Sequence, residues 1–229
     1  MRTTKEILQS LFPELPEQLL ADFNRSILYL NLTRIRVMAW VMIPALVVYT
    51  TTDYLHFSAL DTPHGWETLT NILLLRSTIT IFTIALLVLL GPPFPMENLK
   101  PRHRHLDIIF SYVYLIYVTV IMAFMYDYRP DLSIFLFFIL VASGFLSFPP
   151  LKNLFLLLSA FLSMAVSLPL FGNRWEDYKY HLITAGLMVM LSYALSRLMF
   201  VTRIRDFMSQ KLIQRQNAEL DKARRSADD

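Results

Sequence analysis

Residues Leu69 to Leu90 read LTNILLLRSTITIFTIALLVLL, with one charged side chain, Arg76, and neither Gly nor Pro. At about 1.5 Å of rise per residue, such a helix covers the roughly 30 Å of hydrocarbon in a bilayer. Five further apolar runs accompany it: about Val37 to Leu55, Leu106 to Tyr126, Leu132 to Phe148, Leu151 to Phe171 and His181 to Val201. In the 229-residue chain 55% of residues are hydrophobic, 17% are charged and the mean hydropathy is +0.45. A soluble domain carries about 25% charged residues over its whole surface. Here the charges gather at the two ends and between the runs. The expected fold class is therefore all-α, a polytopic membrane protein built as a six-transmembrane-helix bundle with an N-terminal amphipathic helix and a C-terminal cytoplasmic helix.

The segments between and around the runs set the organisation. Pro149-Pro150-Leu151-Lys152 cannot continue a helix, so a tight hairpin with Lys152 at its turn is expected between the fourth and fifth spans. Ahead of the first span, Leu19, Leu20, Phe23, Ile27 and Leu30 recur at helical spacing, with Glu17, Asp22 and Arg25 between them. This reads as an amphipathic helix, either at the membrane surface or packed on a cytoplasmic domain. After the sixth span the chain turns polar and lacks Gly and Pro. Ile204, Met208, Leu212 or Ile213, Gln216, Leu220 and Ala223 mark a narrow, near-heptad seam there, suited to pairing with its twin when something larger holds the two together. The expected domains are residues 1–33, the amphipathic helix; 34–201, the membrane bundle; and 202–229, a coiled-coil-like cytoplasmic helix.

Lys and Arg orient the spans. One side collects 17 of them: Arg2, Lys5, Arg25, Arg34, Arg36, Lys100, Arg102, Arg104, Lys152, Arg197 and seven more in the tail. The other side has 3, Arg129, Arg174 and Lys179, and it carries the acids Asp53, Asp61, Glu67, Asp127, Asp131, Glu176 and Asp177, with Trp66 and Trp175 at the level of an aromatic belt. The expected location is a bacterial inner membrane, with both termini in the cytoplasm. No cleavable leader is expected, because the first long run starts near Val37.

The chain has no Cys, which excludes thiol catalysis, disulfides and Cys-ligated metals. No P-loop, G-x-G-x-x-G, H-E-x-x-H or G-x-S-x-G motif occurs, so no enzyme activity, cofactor or nucleic-acid partner is expected of this chain. His103 and His105 lie in a basic inner loop and are expected to contact phospholipid headgroups. His56, His64 and His181 could join outer acids in a proton-sensing or metal site, but their spacing fits no metal signature.

Arg76 is the sharpest single residue. A charge in mid-bilayer costs about 2.5 kcal/mol or more, so it should face the bundle interior and find a partner. That partner is either a ligand or the carbonyls and hydroxyls of neighbouring helices. Tyr112, Tyr114 and Tyr117 of the third span, Ser143 of the fourth and Tyr193 of the sixth are candidates to line a ligand pocket with it. Small polar residues at such places also serve close helix packing. Pro44 and Pro169 are expected to kink their spans.

The tail from Gln214 to Asp229, QRQNAELDKARRSADD, resembles the linker between membrane sensor and output module in bacterial sensor histidine kinases. Similar linkers lead into diguanylate cyclases and class III adenylate cyclases. Asn31-Leu32-Thr33-Arg34-Ile35-Arg36 at the entry to the first span, and the lone Arg76 in the second, resemble six-span sensor halves of such receptors. The chain departs from that family by ending before any phosphoacceptor His box, ATP-binding module or G-G-D-E-F sequence. The resemblance implies a homodimeric membrane receptor of two-component or quorum-sensing type, taken as the front part of a longer protein. It would detect a small lipophilic ligand or a membrane state and pass it to an output module through a signalling helix bearing Ile204, Met208, Leu212, Gln216 and Leu220. The alternative from another class is a small transporter or lipid-handling membrane protein.

Overall fold

The structure of the protein, a computed structural model, describes residues 15–59, 63–126, 132–170 and 175–228. Arg2, Lys5, Asp61, Asp127, Arg129, Asp131 and Arg174 lie outside the described residues, as do the side chains of His64, Trp175 and Asp177. All regular structure among the described residues is helical: α1 (Glu17–Ser58), α2 (Pro63–Leu90), α3 (Leu106–Met125), α4 (Ser133–Phe145), α5 (Pro150–Leu170) and α6 (Trp175–Asp228), with two short 3-10 turns, Met96–Asn98 and Pro101–His103, before α3. Five of these helices, α1, α2, α3, α5 and α6, contain stretches long and apolar enough to cross a membrane. The fourth, α4, has 13 residues and is only about 20 Å long.

The helices alternate in direction, and side-chain contacts fix which ends lie together. Arg36, near the middle of α1, reaches the carbonyls of Leu90, Gly91 and Pro92 at the end of α2. Asn31 meets Asp107 at the start of α3 and Ser147 just after α4. Phe23 packs edge-on against Phe200 and Phe207 of α6, and Lys211 pairs with Asp22 at 3.0 Å. At the opposite end Tyr126, just past α3, hydrogen-bonds His181 near the start of α6. The start of α1 and the point where α6 leaves the bundle therefore share one end, which is also the basic end.

Asn31, Arg34 and Arg36 form a latch at that end. Leu32 and Ile35 between them are buried in the core. Arg34 donates to the Phe145 carbonyl that ends α4, and its guanidinium stands 5.4 Å from the Phe145 ring. Arg36 caps α2, whose last turn closes on Gly91 in the left-handed conformation, φ 64°, followed by Pro92 and Pro93. Cations at helix C-termini meet unpaired carbonyls and the negative end of the macrodipole. Part of the charge asymmetry is thus structural: these arginines close helix ends.

Two expectations change here. From Glu17 onward the amphipathic segment and the first apolar run are one uninterrupted helix, α1. Nothing between Glu17 and Pro44 breaks it, and Phe23 and Ile27 find apolar partners on α6, Ile204 among them. The fourth run is helical over a shorter length than its apolar character suggests. Pro149 disfavours helical backbone in the residue before it. Leu146 is already extended, and Asn31 takes over the hydrogen bonds of Ser147.

The outward surface is apolar to an extent that water does not tolerate. Leu74, Ile81 and Val88 form one bare stripe along α2, and Val88 is 75% exposed. Leu151, Phe155, Leu162 and Val166 do the same on α5. Thr51, Thr52 and Thr78 on exposed faces return their hydroxyls to the carbonyl four residues back, which satisfies these three donors within the helix.

Candidate functional site

Arg76, midway along α2, is 5% exposed, and its guanidinium pairs with Asp53 of α1, itself 7% exposed. Sequence order puts Asp53 with the outer acids. The structure instead sets it inside α1 and makes it the partner that a buried arginine needs. The guanidinium also stands 5.3 Å from the Tyr49 ring centroid, and the Tyr117 hydroxyl of α3 interacts with both members of the pair. Arg76 Nε remains buried without a hydrogen-bond partner. The group can hold a charge inside the bundle and tie α1, α2 and α3 together. Its register follows from antiparallel packing of α1 on α2.

The other candidates fall into separate places. Tyr114 is buried, shares a hydrogen bond with Thr83 of α2, and lies 4.5 Å from Phe110 and 6.3 Å from Phe138, centroid to centroid. Tyr117 reaches its ring from the other side, at 6.5 Å. Ser143 is fully buried with its hydroxyl unpartnered, as is Ser192 on α6. Tyr112 and Tyr193 are half-buried against the main core. Among the described residues, none of Tyr112, Ser143 and Tyr193 hydrogen-bonds to Arg76, Asp53 or Tyr117. The cavity beside Tyr114 measures about 20 Å³, room for one water. Arg76 and Tyr117 are thus brought together, with Tyr114 adjoining.

A larger cavity, about 580 Å³, opens at the basic end, within the range of small-ligand sites. It lies between the start of α1, the segment Leu99–His105, the start of α3 and the α4–α5 connection. His105 lines it, whereas His103 does not reach any headgroup: its ring is 1% exposed and stacked on Phe94 at 5.0 Å. Burial first, and then the charges of Arg102, Lys100 and Arg36, push this imidazole below its ordinary value of 6.5, which keeps it neutral at pH 7.

In α6, Ile204 is buried against Phe23 and Ile27. Met208 is more than a third exposed, and Leu212, Gln216 and Leu220 are exposed. The seam therefore divides at about residue 208 into a part held by α1 and a bare part. Asn31 and Asp53 are the residues that sequence reasoning missed as site-builders. The signal for Asp53 was weak, an acid near the end of the first apolar run, and Asn31, in the amphipathic segment, carried none. No protein-family model matches the chain, nor does any curated protein or solved structure.

Proposed function

We propose that the chain is the membrane-embedded sensory part of a bacterial inner-membrane receptor. It crosses the membrane six times, with both termini in the cytoplasm, and pairs as a homodimer. It relays a small lipophilic ligand or a membrane state through α6 to a cytoplasmic output module such as a histidine kinase. The observation that carries this reading is the continuity of α6. Its first half packs on α4 and α5. The same helix then leaves the bundle past Phe23 and Asp22 of α1, and from Leu212 to Ser226 every side chain is exposed. An unbroken helix transmits rotation or sliding from bundle to tail. A lone polar helix of this length is marginal in water, and Leu212 and Leu220 gain burial against the same seam of a second chain.

The chain has no native Cys, which makes the test direct. Leu212→Cys, Gln216→Cys and Leu220→Cys, oxidised in native membranes, are expected to give disulfide-linked dimers at higher yield than Gln214→Cys and Ala218→Cys on the opposite face. Equal yields on both faces, or none on either, would remove the signalling-helix reading.

A further inference from the structure

We propose that the cleft at the basic end is a headgroup site for an anionic phospholipid. The proposal stands on the membrane placement of the bundle and not on the relay through α6. Four cations converge on the cavity from separate segments: Arg25 from α1, Lys100 and Arg104 from the 3-10 region, and Lys152 from α5. Among the described residues none of the four forms a salt bridge. Arg25 donates to the Glu97 backbone carbonyl at 2.9 Å, which holds its stem over the cleft and leaves its charge uncompensated. The one carboxylate in the lining, Asp107, already accepts from Asn31 and from the Ile108 N–H. Its charge lowers the local excess of positive charge without cancelling it.

The N-termini of α3 and α5 both border the cavity, through Asp107 and Pro149. Their dipoles add to the positive potential where a phosphate oxygen would sit. Pro150 has no N–H, and the Asn153 N–H is spent on the Pro149 carbonyl. The cations therefore carry more of the attraction than the helix end does. A soluble phosphate would use only this polar half. Ile27, Leu99 and Phe148 supply an apolar half to the same cavity. Leu151, beside Lys152, is 69% exposed and continues that surface onto the apolar flank of the bundle. A polar, positively charged mouth joined to an apolar flank fits a headgroup with its acyl chains.

The full chain, purified in mild detergent, is offered phosphatidylglycerol or phosphatidylcholine, and retained lipid is counted by native mass spectrometry. A parallel arm adds inorganic phosphate as competitor. The wild-type chain is expected to retain phosphatidylglycerol preferentially, and millimolar inorganic phosphate is expected to leave it in place. Each cation removed should weaken retention by about fivefold, so Arg25→Ala/Lys100→Ala/Arg104→Ala/Lys152→Ala should lose the preference by about a hundredfold or more. Arg104→Gln and Lys152→Gln, both at exposed positions, provide single-charge readings should the fourfold variant fail to fold. A tail variant, Lys222→Ala/Arg224→Ala/Arg225→Ala, should keep the preference. The proposal is overturned if the cleft variants, single or multiple, retain lipid like wild type, if the tail variant loses as much, or if inorganic phosphate displaces the lipid.

Discussion

Replacing Arg76 by Met is expected to destabilise the bundle by about 3–5 kcal/mol, and Asp53→Leu is expected to cost more. Both side chains are more than nine-tenths buried, so removing one leaves the other as an unpaired charge in low dielectric. The two orphans have different escapes. A carboxyl group can become neutral by taking up a proton, whereas a guanidinium keeps its charge, so the arginine is the costlier orphan. Stacking over Tyr49 and contact with Tyr117 offset part of its cost. The double variant Arg76→Met/Asp53→Leu removes both charges and fills similar volume, so it should recover most of the lost stability. Denaturant titration in mixed micelles, followed by circular dichroism, checks the order: Asp53→Leu least stable, then Arg76→Met, then the double variant close to wild type. A double variant no better than the singles would show that the pair is not what holds α1 to α2.

Asn31→Ala should be nearly as severe, at about 3–5 kcal/mol. One carboxamide there does the work of a peptide unit. Its oxygen accepts from the Ser147 N–H at 2.9 Å, and its nitrogen donates to the Ser147 carbonyl at 3.0 Å and to Asp107 at 3.1 Å. Ser147 lies where α4 has ended and α5 has not begun, so no helical partner exists for either backbone group. Truncation leaves two buried backbone groups of Ser147 without that partner, at about 1–3 kcal/mol each, and one half-buried Asp107 oxygen that water can reach from the cavity. Asn31→Asp keeps the acceptor but sets a carboxylate against Asp107, and should be worse than Ala. Amide exchange at Ser147 should rise in both variants while amides in the middle of α3 stay protected. Unchanged exchange at Ser147 would mean that the loop does not depend on Asn31.

Much of the helical layout was legible because a membrane helix advertises itself by length and composition. The run beginning at Leu69 ends at Leu90 as α2 does, and the runs at Leu106 and Leu151 start within one residue of α3 and α5. The tail's continuity with the last apolar run was legible in its lack of Gly and Pro. The end of α4 was not, since Leu146-Ser147-Phe148 reads the same whether helical or extended. Tertiary bonding to Asn31 decides between the two. The partner of Arg76 was hidden for a related reason. Asp53 sits near the end of an apolar run, where composition alone suggests a loop, and only the packing register of α1 on α2 brings it to Arg76. The basic end reads in sequence as orientation signal alone. In the fold its charges divide between helix-capping arginines, Arg34 and Arg36, and the cations gathered around the cleft.

In the proposed topology six crossings leave both termini, and so the α6 tail, on the cytoplasmic side. It is tested most directly by labelling single cysteines in spheroplasts with a membrane-impermeant maleimide. Tyr180→Cys lies at the far end of the bundle, and Glu17→Cys and Ser226→Cys at the two polar ends of the chain. All three native positions are exposed. Tyr180→Cys is expected to react in intact spheroplasts, and Glu17→Cys and Ser226→Cys only after lysis. Labelling of Ser226→Cys in intact spheroplasts, or opposite behaviour of Glu17→Cys and Ser226→Cys, would contradict it.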